Sequence, residues 1–222
     1  MFDARKRCYN LVHIVISSVD QASSQTPEMV DGQYTLSTKR RSEAYNVIHN
    51  SDDEVFQTDL YDWYLAKGWS DRLLEVVSPY IVTYLQRKSS DDIAHADLLW
   101  NYYARTNRFY DAAAVQLRLA KSGFALALDK RIEYLSRAKA NASTYTPGIG
   151  RQPRQTLLHE ISDLLDVANI QDDILQRLKA DVRITLERRP EVLKELNGPI
   201  LSLTEVSTSN SGFVALADRN KF

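Results

Sequence analysis

The chain has 222 residues, 44% apolar and 26% charged, enough to bury a sizeable core and too apolar for wholesale disorder. With 28 basic and 29 acidic residues the formal net charge is -1, so no global charge pulls it toward nucleic acid, a membrane surface or an acidic substrate. Cys8 is the only cysteine, which excludes an internal disulfide framework and a cysteine-rich zinc site and fits a reducing compartment, cytosolic or nuclear.

The pattern from Phe2 to about Gln21 predicts a helix with Leu11, Ile14, Val15 and Val19 on one face, although the β-branched Ile14-Val15-Ile16 also suits a strand. Leu11 to Ile16 is too short for a signal-peptide core and holds His13. No segment reaches the roughly 20 apolar residues that cross a bilayer. Residues 22–37, rich in Ser, Gln and Thr with Pro27 and Gly32, read as a flexible loop. A helix over 39–49 follows. Ser51-Asp52-Asp53 then opens a helix running to Lys67, with Val55, Phe56, Leu60, Trp63 and Tyr64 apolar and Gly68 as its stop. Ser70 is placed to cap a short helix over 71–77, and Ser78-Pro79 restarts the chain for a helix to Lys88.

Ser90-Asp91-Asp92 opens the most informative stretch, Asp97 to Ala120. Ala96, Leu99, Trp100 and Tyr103 form one helical stripe; Ala113, Leu117 and Ala120 form another. Only Thr106-Asn107-Arg108 separates them, which requires an antiparallel helical hairpin. Trp100 is expected in its seam, where truncation to alanine costs about 3–5 kcal/mol. After Gly123, a helix over 129–141 turns Leu128, Ile132 and Leu135 inward, and residues 143–154 with Pro147, Gly148, Gly150 and Pro153 read as a loop. From Gln155 the apolar period resumes in two rows: Leu158, Ile161, Leu165 and Ala168, then Leu175, Leu178, Val182 and Leu186. A break at Asn169 is left open. Pro190 starts a last helix that Gly198-Pro199 ends.

About ten helices and no convincing strand define an all-α chain, and no fixed repeat length emerges. The expected fold is an irregular α-solenoid of stacked antiparallel helix pairs over 1–206, with loops near 22–37 and 143–154 and a flexible tail at 207–222.

Chemistry is weakly supported. The pairs Asp52-Asp53, Asp91-Asp92 and Asp172-Asp173 lack the third carboxylate, four residues past the first of each pair, that a helical magnesium site uses: those positions are Phe56, His95 and Gln176. His159-Glu160 opens like a zinc-protease helix, but Asp163 stands where the second histidine belongs. The remaining histidines, His13, His49 and His95, are scattered, and Gly148-Ile149-Gly150 has neither the preceding strand nor the third glycine of a dinucleotide loop. No Walker sequence or nucleophile elbow is present. The reading is therefore not an enzyme, with no catalytic, cofactor-binding or metal residue and no cofactor. Trp63, Trp69, Trp100 and the tyrosines at 61, 64, 80, 84, 102, 103 and 110 are mostly core or seam; one or two could anchor a partner, but partner-binding residues stay unassigned.

Laid out in order, several segments resemble one family. They are Leu60-Tyr61-Asp62-Trp63-Tyr64, then Asp71 through Tyr80 (DRLLEVVSPY), then Asp97 through Tyr103 (DLLWNYY). Asp111 through Ala120, Arg131 through Ala138 (RIEYLSRA) and Leu158-His159-Glu160 leading to Leu164 through Ala168 complete the set. Over about half the chain, roughly Val55 to Gln171, the order and spacing are similar to the C-terminal α-helical region of the large inner-ring scaffold nucleoporins, the 155/170-kDa class also called non-repetitive/WGA-negative nucleoporins. Members are several-fold longer and carry an N-terminal β-propeller associated with membrane contact, so the chain is expected to be a fragment. The resemblance implies a structural scaffold of the nuclear pore complex at the nuclear envelope. Its partners would be linker nucleoporin segments and neighbouring scaffold subunits. It implies no small-molecule substrate, no specific nucleic acid and no direct membrane insertion by this fragment. A helical scaffold of a vesicle coat or proteasome-lid assembly is the alternative that the hairpin alone would also suit.

Overall fold

The computed structural model describes residues 2–180, 189–202, 204 and 205. Ten helices and one small hairpin are found among them. The chain divides into two compact units, Met1–Lys88 and Ser89–Phe222.

In the first unit, α1 (Phe2–Ser24) precedes a two-stranded hairpin, β1 (Met29–Val30) and β2 (Gln33–Tyr34). Asp31 and Gly32 both take positive φ (49° and 76°), the backbone of a type I′ turn, and Met29 pairs with Tyr34. This hairpin occupies the stretch expected to be loop. Then come α2 (Leu36–His49), α3 (Glu54–Ala66), α4 (Ser70–Glu75) and α5 (Pro79–Lys88). Asp53 caps α3 by accepting from the amides of Val55 and Phe56. At its other end Gly68 (φ 72°) and Trp69 donate back to the Leu65 and Tyr64 carbonyls, a Schellman stop. Ser70 does not cap α4: Trp69 holds that position without a side-chain bond, and Ser70 is already helical.

The core of this unit gathers Ile16, Phe56, Leu60, Tyr61, Tyr64, Leu73, Ile81 and Leu85. α1 lies against α2 and α3, and α3 against α4 and α5. Buried Gln57 seals the α2–α3 corner, its amide donating to the carbonyls of Ile48, His49 and Ser51 at 2.8–3.3 Å.

The second unit packs each helix against the next: α6 (Ile93–Arg105), α7 (Phe109–Lys121), α8 (Leu128–Ser143), α9 (Arg151–Ala180) and α10 (Arg189–Leu196). This is the sequential packing of a helical solenoid. The α6–α7 connection repeats the Schellman stop, with Asn107 at φ 59° in place of glycine. Ala112, Ala113 and Ala120 on α7 and Ala138 and Ala142 on α8 are essentially buried, so the two backbones approach closely. Asn141 on α8 donates to Gln116 on α7 at 2.9 Å.

Two expectations shift here. Trp100 is only half-buried; its indole N–H donates to Asp97 at 2.8 Å and Tyr102 takes the inner position. On α9 the buried row is Leu157, Ile161, Ala168, Gln171, Leu175 and Leu178, so Leu158 sits one residue off it, and Leu165, though on the same face, is only half-buried. α9 runs through Asn169 unbroken and already begins at Arg151, inside the expected loop, with Pro153 in the first turn where its missing N–H is harmless. Val182, Leu186 and the expected tail at 207–222 lie outside the described residues.

Arg131 on α8 is the largest fully buried side chain. It has no carboxylate partner among the described residues. Instead its guanidinium donates to the carbonyls of Ala120, Ser122, Phe124 and Leu126 at 2.7–3.3 Å, which fixes the chain that leaves α7. Gln171 does the same at the far end, donating to Leu196 and Pro199 carbonyls and accepting from the Leu201 amide.

Candidate docking surface

The surface of the first unit carries two distinct features, both built on α1. The helix has two apolar faces. His13 and Ile16 are buried, with the His13 ring stacked on Trp63 at 4.5 Å and 5°. Leu11, Ile14 and Val15 point the other way, 62%, 61% and 57% exposed. The stripe read from the sequence exists, but it is the open face.

Leu36, the first residue of α2, is 64% exposed and joins that stripe across a groove. The groove is lined by Ile14, Val15, Val19, Pro27, Leu36 and Arg40, with Ser18 and Ala22 as small residues of α1 along it. Thr35 and Thr38 hold the wall in place: their hydroxyls donate to the carbonyls of Pro27 and Glu28 at 3.0 and 3.2 Å. Single exposed aliphatic residues are ordinary, whereas a contiguous apolar patch in a concave surface marks an interaction site.

On the other side of α2 lies a polar cluster. Asp20 accepts from Arg41 Nε at 2.7 Å, Tyr45 at 2.7 Å and Arg72 at 2.6 Å; Arg72 also donates to the Tyr45 hydroxyl and stacks over the Trp69 ring at 4.1 Å. Burial pushes the Asp20 carboxyl up, but the bonds from Arg41, Arg72 and Tyr45 outweigh it and leave it below the usual carboxylate range. Burial and the bond to Asp20 push the Tyr45 hydroxyl well up. Both guanidiniums are therefore committed to Asp20, and the cluster ties α1, α2 and α4 together rather than offering an anion site. His49 beside it meets the Tyr64 hydroxyl at 2.9 Å, and burial lowers its pKa against the opposing pull of Glu75.

The acidic pairs are structural. Asp53 and Asp92 are helix N-caps, Asp92 also contacting the His95 ring, while Asp172 and Asp173 sit mid-helix and bond Gln176 and Arg177 one turn on. Among the described residues no three His, Cys, Asp or Glu side chains gather as metal ligands. His159 is exposed and its neighbour Glu160 pairs with Lys121 at 2.9 Å. None of the ten aromatics singled out in the sequence is exposed: Tyr61, Tyr64, Tyr84, Tyr102 and Tyr103 are buried and the rest half-buried. Among the described residues the exposed large apolar side chains are mostly aliphatic, Tyr34 and Tyr145 excepted, and the α1 stripe was the clue to them.

Sequentially packed helices, polar groups paired internally and an open apolar groove define a helical scaffold protein. Residues 1–208 match the family described as Non-repetitive/WGA-negative nucleoporin C-terminal, and the chain belongs to that family of structural nucleoporins, components of the nuclear pore complex at the nuclear envelope. It is 52% identical over 205 residues to Nucleoporin NUP170 of Chaetomium thermophilum, covering 92% of this chain and 14% of that protein. Saccharomyces cerevisiae NUP170 is 32% identical with the same coverage of each. The chain thus spans about a seventh of the length of these curated relatives. The crystal structure of the Chaetomium thermophilum Nup170 CTD–Nup145N complex superposes with a TM-score of 0.87 at 52% identity, over 92% of this chain and 39% of that one.

Proposed function

We propose that this chain is a structural piece of the nuclear pore inner ring that docks segments of linker nucleoporins and neighbouring scaffold subunits, and so supports nucleocytoplasmic transport without catalysing a reaction. The observation that carries this is the likeness to the Nup170 C-terminal domain solved together with Nup145N, another nucleoporin. The residues agree with it: Asp20, Arg41 and Arg72 close on one another and leave no anion site, while an apolar groove suited to a protein segment lies between α1 and α2. A near-zero net charge gives no basis for general nucleic-acid binding. The vesicle-coat and proteasome-lid alternative has no observation in its favour.

Proximity labelling tests the reading. With a biotin ligase fused to the protein in its own cells, the expected labelled neighbours are inner-ring scaffold and linker nucleoporins. Enrichment of coat or proteasome subunits without pore components would overturn it.

A further inference from the structure

We propose that the Asn197-Gly198 turn after α10 deamidates spontaneously in the folded protein, aided by the N-terminus of α8, and that one of the two products unlatches α10. This modification is independent of the docking reading above and goes beyond it.

The sequence supplies the reactive pair. Of all the asparagines in the chain, Asn197 alone precedes a glycine. Ring closure needs the next residue's backbone nitrogen to reach the asparagine Cγ, and glycine, without a Cβ, obstructs that approach least. The Gly198 nitrogen bonds to Cγ while the Cγ–Nδ2 bond breaks, and Nδ2 leaves as ammonia with the proton the Gly198 nitrogen gives up. Water then opens the succinimide at either carbonyl, giving aspartate or isoaspartate. One water is taken up and one ammonia released, and nothing is oxidised or reduced.

The structure meets the demands of that step. Asn197 lies just past the end of α10 and is exposed, so water reaches it. Neither its Nδ2 nor the Gly198 N–H bonds a described residue, which leaves the departing group and the nucleophile untied. Its Oδ1 accepts from the Leu128 amide at 3.3 Å. Leu128 is the first residue of α8, whose N-cap, Ala127, makes no side-chain bond. Negative charge builds on Oδ1 as Cγ becomes tetrahedral, and this amide, at the positive end of a helix, already faces it.

The same bond makes the reaction matter to the fold. Asn197 stands in for the missing cap of α8 and ties α10 to it. Around it, Gln171 donates to the Leu196 and Pro199 carbonyls and accepts from the Leu201 amide. Aspartate keeps the capping oxygen and adds a charge that a helix N-terminus favours. Isoaspartate routes the backbone through the side chain, one carbon longer, and so pulls Pro199 and Leu201 off Gln171 and frees buried Leu196.

The experiment incubates the folded 222-residue chain at neutral pH in heavy-oxygen water and maps it by proteolysis and mass spectrometry. Isoaspartate is identified with an isoaspartyl methyltransferase. The comparators are the Gly198→Ala and Leu128→Pro variants and a synthetic peptide of residues 194–201. A Cβ at Gly198 meets only the Glu195 and Lys194 carbonyls, at 3.5 and 3.6 Å, so alanine fits there. Proline suits the first helical position and removes the amide that faces Oδ1. Circular dichroism checks its fold; if Leu128→Pro is not folded, the peptide, which lacks α8, serves as the comparison.

Asn197 should take up the heavy label about tenfold or more faster than any other asparagine of the folded chain, and Gly198→Ala should slow it by about as much. Leu128→Pro and the peptide should convert about fivefold or more slower than the parent. In the isoaspartate fraction, separated chromatographically, the amides of α10 should exchange with deuterium about tenfold faster. An Asn197 that stays intact in the folded chain while the peptide deamidates overturns the site. Equal rates in the parent, Leu128→Pro and the peptide overturn the part given to α8. Isoaspartate that leaves α10 exchange unchanged overturns the latch.

Discussion

In residues 1–88 the helices are tied by charged groups and ring hydroxyls: Asp20 with Arg41, Tyr45 and Arg72; Asp53 with Arg5 and Tyr9; Asp62 with Tyr84 and Lys88. The second unit has carboxylate ties as well, Tyr134 on Asp97 and Lys121 with Glu160, but adds alanine-lined helix contacts and two long side chains, Arg131 and Gln171, that end their reach on backbone carbonyls. Carbonyl acceptors are uncharged and fixed by the backbone, so those clamps hardly respond to pH or salt. Carboxylate networks respond to both. The first unit thus centres on a shared carboxylate, Asp20, whereas the second turns its long side chains inward to finish its own loops.

The largest expected effect tests the carbonyl clamps. Arg131→Ala leaves four carbonyls of the α7–α8 connection without their donor and should destabilise the second unit by about 3 kcal/mol, read as a lower urea midpoint. A change under about 1 kcal/mol would mean that water replaces the guanidinium without penalty. Next, Asp20→Asn removes the charge that Arg41 and Arg72 share and should cost about 2 kcal/mol. High salt should narrow the gap from the parent protein; an unchanged gap would show that the cluster is not electrostatic. Trp100→Ala should cost only about 1–2 kcal/mol, since the ring is half-buried and loses one hydrogen bond to Asp97. A loss near 4 kcal/mol would return Trp100 to the hairpin seam.

The smallest effect distinguishes the units by pH. Burial holds His13 and His49, both in the first unit, below the ordinary 6.5, against the opposing pulls of Asp59 and Glu75. The unfolded chain therefore binds protons first, and the stability these rings contribute is complete above pH 6.5 and lost as pH falls below it. Asp20, also depressed, adds a loss only below its ordinary 3.8. In a Trp100→Phe background the remaining indoles, Trp63 and Trp69, report this unit; their melting temperature should fall between pH 7 and pH 5. No change over that range would contradict buried neutral histidines.

Punctuation carried most of the fold. Asp53, Asp92, Gly68 and Pro79 act locally through caps and stops, so their effect is legible wherever they stand in the chain. The hairpin was missed because each strand is two residues long, too short for alternation to register, although Asp31-Gly32 is a recognised I′ turn pair. On α9 the doublet Leu157-Leu158 lets either member define the row, and only the packing partner chooses between them. Arg131 gave no signal, because its acceptors are carbonyls that any sequence supplies. The groove is the instructive case. The stripe Leu11, Ile14, Val15 and Val19 was plain, but a periodic pattern says which residues share a face and not whether that face is covered. His13 and Ile16 form the buried face instead, His13 because Trp63 offers a ring to stack on.

Hydrogen exchange with a nucleoporin segment bound tests the central claim, that this chain works by docking other nucleoporins and not by chemistry. The bound segment should protect one contiguous set of the described helices, while the carbonyl clamps of Arg131 and Gln171 exchange as in the free chain. Exchange unchanged everywhere with segment in excess would contradict the account.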